Sequence, residues 1–188
     1  ANQPYLMFFE GSVGYDFFLT LIDPETRLVY DISSFFNFSD EHVKYDDAII
    51  RIDGQPWSPD GNRFAIQIDY IKLYDLFGGE YQSFATDIYV VDLEEQSIEY
   101  VHTAPIPFFG IHWSPDGRYL LFIERDFEWT GEGSAFRLVH LDMFTGETQL
   151  LFHSTRRWSD GGPVPSNIDI VGWSPDGEWI ALNVIQDL

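Results

Sequence analysis

Short apolar runs, rich in aromatic and β-branched residues, recur along the chain and are divided by polar turns. The first set comprises Arg63-Phe64-Ala65-Ile66-Gln67-Ile68, Tyr119-Leu120-Leu121-Phe122-Ile123 and Trp179-Ile180-Ala181-Leu182-Asn183-Val184. A second set comprises Phe17 to Asp23, Ile88-Tyr89-Val90-Val91-Asp92 and Phe136 to Asp142, each ending in an Asp that opens a turn. Runs of this length and composition predict β-strands. Thr148 to Phe152 reads as a further strand after such a turn.

Each member of the first set follows the same five residues: Trp57 to Gly61, Trp113 to Gly117 and Trp173 to Gly177 all read Trp-Ser-Pro-Asp-Gly. Trp57 and Trp113 are 56 residues apart, and Trp113 and Trp173 are 60 apart. A fixed interval of this size marks a solenoid or a propeller. Within the motif, Pro presets φ for a type I turn, Asp60, Asp116 or Asp176 bonds nearby backbone, and Gly61, Gly117 or Gly177 takes the left-handed conformation. The motif therefore joins two strands as a hairpin, and four antiparallel strands per repeat make one propeller blade.

These three motifs, with the Ile88 to Asp92 strand, resemble the TolB-like β-propeller repeat over nearly the whole chain. The resemblance implies an all-β fold of four-stranded blades and, more loosely, a function. Such repeats build periplasmic interaction proteins, propeller domains of prolyl-oligopeptidase-type peptidases, and sensor or scaffold domains. It also implies a location outside the cytoplasm, periplasmic or secreted.

The strand count divides the chain into a partial blade at 1–33, full blades at 48–103 and 105–154, and a partial blade at 167–188. Propellers close with about 4 to 8 blades, so the segment is incomplete as a ring. Three explanations stand side by side: a piece of a longer propeller, head-to-tail completion by another copy, or docking onto a different chain through open strand edges.

Composition limits the function further. The 188 residues are 45% hydrophobic and 18% aromatic, enough for one packed domain, and Trp57, Trp113 and Trp173 are expected to serve packing. No apolar stretch approaches the length of a membrane span. With no cysteine, disulfide and thiol chemistry are excluded. The 31 acidic and 10 basic residues give a formal charge of −21, which argues against nucleic acid or an anionic membrane and favours solubility, a basic partner or bound cations.

Catalytic signatures are missing. No Gly-x-Ser-x-Gly elbow occurs, and no phosphate loop, dinucleotide fingerprint or metal-ligand spacing appears, so no enzyme activity and no cofactor are expected. Calcium is a weak candidate. Asp126 to Gly131 echoes the start of an EF-hand loop, yet Arg137 stands where the bidentate Glu belongs. The acidic patch at Asp40, Glu41, Asp46 and Asp47 has no specific spacing. His102 and His153 end corresponding strands and read as repeat positions.

Two aromatic segments read as long loops, the usual place for binding residues on a propeller. One carries Phe35, Phe36 and Phe38; the other, Tyr70 to Tyr81, carries Tyr74, Phe77 and Tyr81. Gln55, His112 and Gly172, just ahead of the motif tryptophans, are the candidates for lining the channel. The expected function is a non-enzymatic protein-interaction scaffold that engages another protein or another copy of itself. The alternatives are the propeller portion of a hydrolase lacking its catalytic domain and a glycan- or small-ligand-binding module.

Overall fold

The computed structural model describes residues 6–10, 18–23, 25–27, 29–31, 47–52, 54–74, 80–104, 108–128, 133–154 and 164–187. All regular structure among them is β. The strands are β1 (Leu6–Glu10), β2 (Phe18–Ile22), β3 (Val29–Asp31), β4 (Asp47–Arg51), β5 (Gly54–Gln55), β6 (Arg63–Tyr74) and β7 (Glu80–Asp92). They continue as β8 (Ser97–Ala104), β9 (Phe108–Trp113), β10 (Tyr119–Glu128), β11 (Gly133–Asp142), β12 (Thr148–Ser154), β13 (Val164–Trp173) and β14 (Ile180–Asp187).

They form four sheets. A three-stranded sheet β1-β2-β3 is followed by β4-β6-β7-β8, by β9-β10-β11-β12, and by the hairpin β13-β14. Consecutive strands pair antiparallel throughout these sheets. These are the blades of a propeller, left incomplete as a ring. One strand crosses a blade boundary: β5 leaves its own blade and pairs in parallel with β9, Gly54 opposite Ile111 and Gln55 opposite His112.

Each motif folds as its residues dictate. The glycine N–H bonds back to the serine carbonyl at 2.9 Å in all three turns, and Gly61, Gly117 and Gly177 take φ of 78°, 71° and 75°. The aspartate holds the turn closed. Asp116 Oδ1 accepts from Ser114 Oγ at 2.5 Å and from Arg118 N at 3.0 Å, while Ser114 Oγ accepts from Tyr119 N at 2.8 Å. Asp60 and Asp176 repeat this arrangement. The Asp-opened turns are likewise closed by side chains, with Asp23, Asp92 and Asp142 accepting from backbone N–H groups two and three residues on.

Strand alternation sends one set of side chains to each blade face. Ala65, Ile88 and Val90 meet Trp113, Leu120, Phe122 and Leu141 between the two full blades. Leu121, Ile123, Phe136 and Leu138 meet Ile168 and Ile170 of the last hairpin. Within the first full blade, several buried polar groups bond one another: Asp69 Oδ1 accepts from Thr86 Oγ1 at 2.8 Å and Gln67 Nε2 at 2.9 Å, and Asp87 accepts from Thr103 Oγ1. Burial pushes the Tyr70 phenol well above its ordinary range, and the adjoining Tyr89 hydroxyl adds to the effect.

Two loop expectations are corrected here. Tyr74 and Tyr81 do not lie in a long loop: β6 and β7 pair, with one register shift between Tyr70 and Ile71, as far as Tyr74 opposite Glu80, with Leu73 opposite Tyr81. Asp126, Phe127 and Glu128 are likewise strand, opposite Ala135, Ser134 and Gly133. In both cases cross-strand hydrogen bonding carries the hairpin past the apolar run that marked the strand in the sequence. Phe35, Phe36, Phe38, Phe77 and the acidic patch at Asp40, Glu41 and Asp46 lie outside the described residues, as do the side chains of Tyr74, Tyr81 and Asp47.

Candidate functional site

The segments just ahead of the three motif tryptophans converge, because β9 pairs with β5 and touches β13. This brings the three channel candidates together. Gln55 and His112 are register partners, and Gln55 Nε2 lies 3.9 Å from where a Cβ on Gly172 would stand. The approach is closer still at Gly54, with φ +83°. A Cβ there would lie 2.6 Å from the Ile111 carbonyl and 2.9 Å from the imidazole of His112. Only glycine lets these backbones meet.

His112 is 5% exposed, and its Nδ1 is buried without a hydrogen-bond partner. Burial alone holds its pKa below the ordinary histidine value. Burial therefore favours the neutral ring, which lies opposite the exposed Gln55 in register.

A second concavity opens between the last two motif turns, a cleft of about 500 Å³. Ser114, Pro115 and Asp116 form one wall, and Trp173, Asp176 and Gly177 the other. Tyr119 and His140 also line it, their rings stacked with centroids 4.8 Å apart and planes 4° from parallel. Both carboxylates are held below the ordinary value of 3.8, first by the serine hydroxyl each accepts and then by a backbone N–H. The cleft is therefore aromatic and anionic at neutral pH.

The motif tryptophans are not equivalent. Trp57 and Trp113 are buried as expected, and Trp113 Nε1 donates to the Pro56 carbonyl at 2.6 Å. Trp173 is only partly covered, and its Nε1 has no partner. The fold is that of a TolB-like β-propeller. The structure assigned as TolB from Agrobacterium tumefaciens superposes with a TM-score of 0.51 at 18% identity, covering 97% of this chain and 55% of that one. The chain thus spans about half the length of that TolB structure. A dipeptidyl aminopeptidase IV assigned from Bacteroides ovatus matches 93% of this chain and 31% of its own, with 14% identity and a TM-score of 0.46. TolB from Acinetobacter baumannii matches 88% of this chain and 42% of its own, with 14% identity and a TM-score of 0.34. No family model and no curated protein matches the sequence.

Tyr119, His140 and the half-covered Trp173 were treated as strand and packing positions, yet they build the cleft. Their signal lay in the second residue after each motif glycine, Arg63, Tyr119 and Trp179, which changes character while the motif stays constant.

Proposed function

We propose that this chain acts without chemistry of its own, as a propeller scaffold that holds a protein partner or a further copy of itself, with the last hairpin as the contact. The observation that carries this reading is an exposed apolar face: Val171, Trp179 and Ile185 on or beside β13 and β14 are 61%, 72% and 46% exposed. Apolar side chains exposed together mark an interaction surface. Among the described residues β14 pairs only with β13, so its outer edge can accept a further strand. The aromatic residues Phe35, Phe36, Phe38 and Phe77, singled out from the sequence, extend the same reading. A periplasmic or secreted location belongs to this reading through the TolB-like resemblance.

Light scattering with intact mass spectrometry tests it. Self-completion predicts a mass above 21.8 kDa that falls to that value when Val171→Asp and Trp179→Asp are introduced. The scaffold reading fails if the wild-type chain is a monomer at every concentration and Phe36→Ala with Phe77→Ala leaves partner capture from native extract unchanged. A second reading, a module for a small polar ligand or glycan, draws on the unpartnered Nδ1 of His112 beside Gln55 at the axis. Glycan-array binding separates the two.

A further inference from the structure

The repeat supplies its own template for the cleft. Between the two full blades, the second residue after the motif glycine is Arg63. Its guanidinium stands over the Trp113 ring, 5.0 Å from the centroid, and its Nη2 lies 3.8 Å from where a Cβ on Gly117 would be. Between the second full blade and the last hairpin, the same three places belong to Tyr119, Trp173 and Gly177. There Tyr119 turns onto His140, and among the described residues only Pro115 comes within 4 Å of the Gly177 Cβ position. Arg118 does not take the place over Trp173: its guanidinium lies 5.0 Å over the Tyr119 ring and is held by Asp142 at 2.7 Å. The cleft is the space that an Arg63 counterpart would fill.

We infer that this cleft receives an arginine side chain from a basic protein partner, seated over Trp173 as Arg63 is seated over Trp113. A guanidinium suits the site on three counts. It stacks on an indole face and is weakly hydrated, so it loses less on entry than an ammonium. The carboxylates of Asp116 and Asp176 line the walls it would enter. The formal charge of −21 steers basic segments toward the chain and acidic ones away. This inference rests on the protein-interaction reading and gives its partner a chemistry.

The experiment is a calorimetric titration of the full chain with an acetylated, amidated Gly-Arg-Gly peptide and with its citrulline and lysine counterparts. The arginine peptide is expected to bind, more weakly as salt is added, and the neutral citrulline peptide at least about tenfold more weakly. Tyr119→Arg supplies the guanidinium from within, so it should abolish peptide binding while leaving the melting temperature at or above that of the wild type. The arginine peptide should also shift the indole N–H resonance of Trp173 and leave that of Trp113 in place. Equal binding of the arginine and citrulline peptides, no binding of either, or undiminished binding to a folded Tyr119→Arg chain would overturn the inference. If Tyr119→Arg fails to fold, the peptide comparison on the wild-type chain decides alone. Absence of peptide binding beside a self-association that depends on Val171 and Trp179 removes this inference and leaves the scaffold reading standing.

Discussion

The indole nitrogen of Trp113 donates to the carbonyl of Pro56 at 2.6 Å, tying two consecutive motifs together across 57 positions. Trp173 occupies the next motif without such a bond. Removing the indole N–H at Trp113 loses a blade-junction bond and leaves the Pro56 carbonyl with only the Ala65 N–H at 2.8 Å, whereas at Trp173 it relieves a buried donor that has no acceptor. Trp113→Phe should therefore cost about 1–3 kcal/mol more than Trp173→Phe in urea unfolding. Equal costs would show that the bond contributes nothing net.

Glycine substitutions should separate close approach from backbone strain. Gly146 has φ +71° and open space around its Cβ position, so Gly146→Ala should cost only the left-handed strain, about 1 kcal/mol. Gly54→Ala adds a 2.6 Å clash with the Ile111 carbonyl, a backbone atom that cannot swing aside. Its cost should exceed that of Gly146→Ala by roughly 2 kcal/mol or more, read from denaturant midpoints.

Acid sensitivity should come in part from the motif turns. Asp60, Asp116 and Asp176 all titrate below the ordinary 3.8 because a serine hydroxyl, then a backbone N–H, bonds the charged form. A depressed folded-state pKa contributes stability that is present above the unfolded value and lost as pH falls through the folded one. Melting temperature should thus drop as pH falls below about 4. Ser114→Ala removes the largest cause at Asp116 and should make that drop shallower.

His112 should add a separate limb at milder pH. Burial lowers its folded-state pKa from 6.5, so the unfolded chain takes up the proton first. Its neutral form therefore supports folding fully above 6.5, and that support is lost as pH falls from there through the folded-state value. His102 shifts the same way, with desolvation outweighing the opposing effect of Asp87. His112→Gln should flatten part of this limb in melting scans, and an unchanged profile would show that His112 does not contribute.

The blades were legible because their determinants are local. A motif that closes its own turn through Ser114 and Asp116 announces a hairpin wherever it occurs, and alternating apolar residues then orient the strands. The extents of β6, β7 and β10 were not legible, because residues such as Lys72 and Glu128 hold strand geometry through pairing with an opposite strand rather than through their own preference. Gln55, His112 and Gly172 could be grouped from their position before each motif tryptophan, and the structure places them side by side. The cleft could not be read from any one repeat. It arises from a substitution at one blade junction relative to another, Tyr119 in the place of Arg63, and becomes visible only when both junctions are superposed.

The motif turns also touch one another in a fixed sense. The ring of Pro59 lies 3.6 Å from the Cβ position of Gly117, and the ring of Pro115 lies 3.8 Å from that of Gly177. In each pair the earlier motif supplies the proline and the later one the bare α-carbon. Assembly around the axis therefore has a polarity, like the two faces of a cog. A blade set after the last hairpin in the same sense would place its own motif glycine against Pro175.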